Sequence, residues 1–391
     1  MRGTSDKPTF LGYHREDGSV GVRNHVLVLS ITGLTGPTAR RIGSCVPGAK
    51  IVSMPYGSGL VGDDYALHRR AMIGLACNPN VGAVVLIGGH PPFVADCAKA
   101  IAKSGRPVEA ITLDECSHDA LMLTDRAVKA VVGFMRNISS QHRQKAPLSS
   151  LFVAAECGRS DPSSGVVANP LVGRLIDAVV IAGGRAVFGE TMEWYGATHL
   201  LHKRAVNDQV IQDIDAAVER RLRAARDAGI DLLGENPGPT NIEAGLSTLE
   251  EKALGSIVKG GSQPIQGVIS MAEQPPGQGL WLMDAPAYAP ESLTAMTAAG
   301  AQLNLFTTGP GNSFVSLLAP TIKISANPDA VSRIPHHIDF DAHRVFIGRQ
   351  SIESAAHALL HMSLEVASGR LTCGEILNEG EEVISRLGPA L

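Results

Sequence analysis

The sequence predicts an α/β protein of two domains built on mainly parallel sheets, and three observations carry that expectation. The chain has 391 residues, more than one ordinary core accommodates, so two domains with an extensive buried interior are expected. Short runs rich in β-branched residues alternate with amphipathic stretches of helical length, the pattern of βαβ units. Hydrophobic residues make up 44% and charged residues 18%, the balance of a compact chain with a large core.

The first β-rich runs are VLVLSI (26–31), KIVSMPY (50–56), VGAVVLIG (81–88) and VEAITL (108–113). Between them DDYALHRRAMIGLAC and PFVADCAKAIAKSG have helical length, and a longer helical pattern covers about 118–143. It runs into QHRQKAPLSS, polar and broken by a proline, which places the domain boundary: 1–145 form an N-terminal α/β domain, expected to dimerise, and 146–391 the C-terminal catalytic domain. The second domain restarts with LFVAAE, then a helix near 168–183, AVFGE (186–190) and two helical stretches to about 228. Residues 234–248, GENPGPTNIEAGLST, are too rich in Gly, Pro and Asn for regular structure and too long for a plain connector, so they are expected to carry function. QLNLFTTG (302–309) and TIKISAN (321–327) read as strands, followed by a helical tail from about 351.

A net charge of -4 offers no electrostatic footprint for nucleic acid or an anionic membrane, so neither is an expected partner and a small-molecule ligand is. The N-terminal MRGTSDKPTF lacks the charged start and apolar core of a signal peptide, and no apolar run approaches a bilayer span, so a cytoplasmic location is expected. Six cysteines without a CxxC pair signal neither a disulfide framework nor a zinc knuckle.

GSGLVG (57–62) fits a dinucleotide fingerprint, but the following strand ends Gly88, Gly89, His90 where an acidic ribose ligand belongs, so no NAD is expected. GxxxxGK[ST] and GxSxG are both missing, which removes the support for a P-loop nucleotidase or an α/β-hydrolase. The polar loop after LFVAAE could be a phosphate cradle, a nucleophile elbow, a metal site or a plain turn. It lies at a strand end, as do GETMEWYGATH, FTTGPGN and SANP, and strand ends are where ligands gather in a parallel sheet.

Cys157 at such a strand end could be a nucleophile with His199 as its base, although a cysteine beside glycine is more often structural. Glu190, Glu193 and His199 lie within ten residues and offer carboxylate and imidazole donors suited to Fe(II), Mn(II) or Mg(II); the competing reading makes Glu193 and His199 ordinary helix-surface residues. Lys252, Lys259 and Lys323 come from separate segments near the polar loops and could clamp an acidic substrate. Lys323, inside an apolar strand, is the least easily explained as a surface residue.

ECGRSDPSSGVVANPLVG, GETMEWYGATHLL, ENPGPTNIEAGLSTLEEKALGSIVKGG, FTTGPGN, PTIKISANP and IDFDA, with GYHREDGSVGVRNHVLVL near the start, resemble the altronate/galactarate dehydratase family along nearly the whole chain. The resemblance implies a sugar-acid lyase needing a divalent metal, usually iron, with a Rossmann-like variant as its C-terminal domain. Altronate dehydratases carry cysteines where this chain has Leu34, Ser58 and, approximately, His90, whereas Cys157 and Cys373 are retained, so no iron-sulfur cluster is expected here. The N-terminal half, in YGSGLVGDDYALHRRAMIGLACNPNVGAVVLIG and IAKSGRPV, is closer to the (2R)-sulfolactate sulfo-lyase large-subunit branch.

The resemblance implies metal-assisted β-elimination of water or sulfite from a small hydroxy or sugar acid. The expected assignments are a divalent metal, Fe(II) or Mn(II), near Glu190, Glu193 and His199. The base or acid comes from His199, Lys259 or Asp161, with Cys157 facing the pocket. Substrate is held by Asn169, which begins a helix, by Thr307, Thr308 and Gly309, and by Lys323. The resemblance also implies a separate small subunit, a SAF or β-clip module of about 100 residues, docked on a homodimer of this chain. The alternative is a non-catalytic sugar-acid-binding or regulatory homologue.

Overall fold

The computed structural model describes residues 8–57, 59–230 and 236–386. Ser58 and the first two residues of the loop 234–248 lie outside them. The N-terminal part contains β1 (Thr9–His14), β2 (Val20–Gly21), β3 (His25–Ser30), β4 (Lys50–Ser53), β5 (Val81–Gly88) and β6 (Val108–Thr112). Four of these form a parallel sheet in the order β4-β3-β5-β6. All eight residues of β5 are buried. A run of apolar residues without alternation belongs to a strand covered on both faces, and the side chains divide accordingly. Leu27, Leu29, Val84 and Leu86 pack with Met72, Leu75, Val94 and Ile101. Val26, Val28, Val85 and Ile87 pack on the other side with Ile42, Leu123, Ala127 and Val131.

The polar stretch expected at the domain boundary contains a strand, β7 (Gln144–Pro147). It pairs antiparallel with β1, Phe10 opposite Ala146, and with β2 completes a three-stranded sheet. Its residues are too polar for the apolar-run criterion, because an edge strand buries little: only Ala146 is buried.

The C-terminal part holds β8 (Phe152–Cys157), β9 (Arg185–Phe188), β10 (Ile265–Ser270), β11 (Gly279–Asp284), β12 (Leu303–Thr307), β13 (Thr321–Ser325) and β14 (Phe340–Asp341). They form one fully parallel sheet, β10-β11-β9-β8-β12-β13-β14. The chain leaves central β8 toward β9 on one side and later returns to β12 on the other, so a topological switch point lies between β8 and β12. Cys157 and Thr307, in register with one another, end these two strands. The strap 234–248, expected to be irregular, contains a short helix, Pro239–Glu243, started by a proline in its first turn.

One stretch departs from the expectation that nothing approaches a bilayer span. Ser164–Ile181 has the length and apolarity of one, with a mean hydropathy of 1.5 over 18 residues. It is a core helix: 56% of it is buried, and Leu171, Val172, Leu175, Ile176 and Val179 pack against β8, β9 and β12 residues.

The two parts are bonded tightly. Arg23 grips Glu375 at 2.6 and 2.8 Å and donates to the Val366 carbonyl at 2.8 Å. Asn80 accepts from the amides of Val22 and Arg23 and donates to the carbonyls of Gln302 and Leu318. One buried side chain thereby satisfies four main-chain groups from both halves.

Candidate active site

Strand β8 ends at Cys157 and its neighbour β9 at Phe188, two residues before Glu190. Glu190 adopts a left-handed conformation, φ 64 and ψ 54, which a residue other than glycine holds at a cost of about 1–3 kcal/mol. The strained turn brings its carboxylate back to β8: Oε2 accepts from the Cys157 amide at 3.1 Å and Oε1 lies 3.2 Å from Cys157 Sγ. The tight turn that follows places Glu193 Oε2 3.2 Å from the same sulfur. Thiol and carboxylate donor atoms of Cys157, Glu190 and Glu193 lie within 4.8 Å of one another, and all three residues are buried.

The opposing wall is the helix Leu249–Ile257, capped by Thr248, whose hydroxyl accepts from the Glu251 amide, and the single turn Val258–Gly260. Positions 252, 256 and 259 fall on one helical face. Lys252 Nζ is 3.0 Å from Glu193 Oε1. Lys259 Nζ is 2.5 Å from Glu190 Oε2, 2.6 Å from Ser256 Oγ and 3.4 Å from Cys157 Sγ. It also lies 5.7 Å from the centre of the Phe188 ring.

Burial and partners set the protonation pattern. Burial, then the charges of Glu190 and Glu193, push the Cys157 thiol well up, so it donates to the carboxylates as a neutral thiol. Burial and the neighbouring Glu193 also raise Glu190. Burial works the same way on Glu193, but Lys252 and Lys259 outweigh it and hold that carboxyl below the usual range. Burial opposes the charge on Lys259, yet the carboxylates of Glu190 and Glu193 beside it more than offset that and the side chain stays an ammonium. On the other face of β8, Glu156 is buried, and burial followed by the charge of Glu190 keeps it well above the ordinary carboxyl range. It accepts from Ser292 Oγ at 2.8 Å through one oxygen, and its other oxygen has no partner among the described residues.

A cleft of about 260 Å³ adjoins this group, lined by Ser160, Asp161, Asn169, Leu246, Lys252 and Ser256 among others. Lys252 and Ser256 belong to both cleft and cluster. Its volume suits a small organic acid.

Comparison with known families decides the relationship. Residues 148–390 match the family model D-galactarate/Altronate dehydratase, C-terminal, and 12–139 match D-galactarate dehydratase/Altronate hydrolase, second domain. The chain belongs to the D-galactarate/altronate dehydratase family. It is 38% identical to (2R)-sulfolactate sulfo-lyase subunit beta of Chromohalobacter salexigens, over 97% of each chain. Identity to altronate dehydratases is 30% for both the Bacillus subtilis and Escherichia coli proteins, over 99% and 97% of this chain and 80% and 78% of theirs. These relatives are lyases, and this chain is a lyase of the same family. Nothing in the comparisons favours the non-catalytic alternative.

The structure brings together Cys157, Glu190, Glu193 and Lys259, from segments up to 102 residues apart. It does not bring His199 to them. That residue stands exposed on the helix Thr198–His202, outside the donor group, because the helix phase turns it to solvent. Lys323 is buried as its apolar strand implies, but its Nζ is engaged by the Ser313 carbonyl at 2.9 Å and Glu379 at 3.5 Å, so it holds the C-terminal segment rather than lining the cleft.

Asp161 lines the cleft and is fixed by Ser163, Ser164 and Asn327. Asn169 also lines it, donating to the Gly255 carbonyl and accepting from Thr307 Oγ1 at 2.5 Å. Thr307 thus acts through Asn169, whereas the Thr308 hydroxyl accepts from the Gly311 amide and shapes the loop. Gly309 has a steric role: a Cβ there would lie 2.3 Å from Asp161 Cγ. Leu34 and His90 line adjoining clefts of the N-terminal part, and Cys373 donates its amide to Asp339 beside β14.

Lys252, expected from the sequence as a clamp for an acidic substrate, does line the cleft. Sequence reasoning passed over Ser256 and Glu156. Ser256 carried a signal, its place four residues after Lys252 and three before Lys259 on one helical face. Glu156 carried one too, as an acid inside an otherwise apolar strand.

Proposed function

We propose that the protein catalyses β-elimination of water or sulfite from a small hydroxy or sugar acid bound in the cleft beside the helix Leu249–Ile257. The observation that carries this reading is the buried convergence of one thiol, two carboxylates and two ammonium groups, with Lys252 and Ser256 shared with the cleft. The relatives, a sulfo-lyase and dehydratases by name, perform eliminations that differ in their leaving group.

Such a reaction removes a proton next to a carboxylate, expels the substituent on the neighbouring carbon and needs the intervening negative charge held. We assign the base to Asp161. Its Oδ1 is occupied by Ser163 and Ser164, while Oδ2 accepts from Asn327 Nδ2 at 2.7 Å and retains a lone pair for the proton. Lys259 holds at Nζ the proton that the leaving group requires. Lys252, Asn169 and Ser256 orient the acid and hydroxyl groups of the substrate from the cleft wall.

The donor set of Cys157, Glu190 and Glu193 fits a divalent cation such as Fe(II) or Mn(II), one sulfur and two oxygens in mutual reach. When bound there it would act as a Lewis acid toward substrate oxygens. The proposal includes a cytoplasmic location, a homodimer of this chain and a separate small subunit. The subunit is supported by the designation of the relative as subunit beta.

The test is release of sulfite or a 2-oxo acid from a panel of hydroxy acids with and without a sulfonate at the neighbouring carbon, using the chain alone and co-expressed with the product of its neighbouring gene. Release from at least one acid is expected. Saturation of the cleft by such acids with no product under either condition would refute the proposal.

A further inference from the structure

In the cluster, the cation and the donors of a metal site coincide. Lys259 Nζ lies 2.5 Å from Glu190 Oε2, 3.4 Å from Cys157 Sγ and 3.9 Å from Glu193 Oε2. These three side chains are also the ones whose donor atoms could ligate a metal. We propose that Lys259 occupies the cation position of this site, so that its ammonium and a divalent ion exclude one another and metal loading drives the lysine out of the cluster. The inference rests on the reading of Cys157, Glu190 and Glu193 as metal ligands.

Two physical reasons require the exclusion. The first is charge. Two carboxylates already face two ammonium groups, Lys252 at 3.0 Å from Glu193 and Lys259 at 2.5 Å from Glu190. The side chains of Lys259, Glu190 and Glu193 are exposed by only 0%, 1% and 5%. A divalent ion added to that balance would leave an uncompensated positive charge, even with the Cys157 thiol ionised on ligation, with almost no water to screen it.

The second is space. A metal ion binds a carboxylate oxygen at about 2 Å, and an ammonium 2.5 Å from the Glu190 oxygen occupies the room on that side. Lys259 has one further partner, Ser256 Oγ at 2.6 Å, and Ser256 lines the cleft. An ammonium displaced from the acids but retained by Ser256 is delivered to the substrate side. Loading the cation and presenting the proton donor are then one event, which keeps the donor withdrawn until the site is complete.

The experiment is Mn(II) binding, followed calorimetrically and by electron paramagnetic resonance, to the full chain and to Lys259→Met. Removing a merely structural lysine would loosen the site and weaken binding. The proposal expects the opposite, affinity raised about tenfold or more by loss of the competing charge. A parallel measurement uses the wild-type chain alone, so that a poorly folding variant does not decide the matter: peptide mass spectrometry of amine-reactive labelling should find Lys259 protected without metal and labelled at saturating Mn(II). Mn(II) bound by wild type with equal or weaker binding by Lys259→Met, or labelling of Lys259 unchanged by saturating Mn(II), overturns the exclusion and leaves the metal reading standing. Failure of Mn(II) and Fe(II) to bind either protein overturns both.

Discussion

Gly309→Ala isolates the positioning of Asp161 from the rest of the site. Gly309 does not have the positive φ that penalises side chains, so the backbone tolerates alanine and the effect is steric. The added Cβ would meet Asp161 Cγ at 2.3 Å, Oδ2 at 2.5 Å and Oδ1 at 2.7 Å, against 3.4–4 Å for ordinary contact. The carboxylate must move by about 1 Å, yet it is held by Ser163 Oγ at 2.7 Å, Ser164 N at 2.9 Å, Ser164 Oγ at 3.1 Å and Asn327 Nδ2 at 2.7 Å. Weakening one or two charge-assisted bonds, at about 1.5–3 kcal/mol each, predicts a stability loss of about 3 kcal/mol. Displacing a base by that distance predicts a fall in kcat on the order of a hundredfold. The assay is a double-mutant cycle in urea. In an Asp161→Ala background the clash is gone, so Gly309→Ala should cost less than about 0.5 kcal/mol there. Full additivity of the two substitutions would refute the reasoning.

Other outcomes follow from single features. Glu382 is buried and its carboxyl is pushed up to about 7 by burial. A raised acid favours the folded state while it is protonated, so that stability is present below the ordinary carboxyl pKa and lost as pH rises through about 7. Urea titrations between pH 4.5 and 8 should show Glu382→Gln gaining roughly 3 kcal/mol on wild type across that window, and a pH-independent difference would contradict it. Asn80→Ala strands the amides of Val22 and Arg23 and the carbonyls of Gln302 and Leu318, and should lower stability by about 3 kcal/mol or more in the same assay. Cys157→Ser should abolish the sulfur-to-metal charge-transfer absorption of Co(II)-loaded protein, which an uncoordinated sulfur would never show. His199→Ala, an exposed position outside the donor group, should change turnover by no more than about twofold.

Much of the fold is written locally. VLVLSI, VGAVVLIG and LFVAAE are apolar runs that only a strand covered on both faces can bury, and they became β3, β5 and β8. IQGVIS, interrupted by Gln266 and Gly267, and GLWLMD, with only four apolar residues between Gly279 and Asp284, give short signals at the outer side of the sheet, where burial is partial, and the sequence reading passed over both as β10 and β11. In the site, Glu190 and Cys157 are legible as polar residues at strand ends. Their meeting with Lys259 is not, because it depends on a helix returning after the strap 234–248 to lie over the ends of β8 and β9. His199 shows the limit of residue type as a guide: imidazole near carboxylates in sequence suggests a ligand, and the phase of a five-residue helix removes it. Lys323 shows the same for charge in an apolar strand, since its partner Glu379 arrives 56 residues later.

If the buried group of Cys157, Glu190, Glu193 and Lys259 is the reaction centre of a β-eliminating lyase, as proposed, neutralising one of its carboxylates must stop product release. The most direct measurement is product release, sulfite and 2-oxo acid, by wild type and Glu190→Gln supplied with Fe(II) or Mn(II) and the partner subunit, with folding of both verified by near-ultraviolet circular dichroism. Glu190 sits in a strained conformation and bonds both Cys157 and Lys259, so its isosteric replacement is predicted to lower turnover by about a hundredfold or more while the fold survives. Wild-type turnover in a folded Glu190→Gln protein would contradict it.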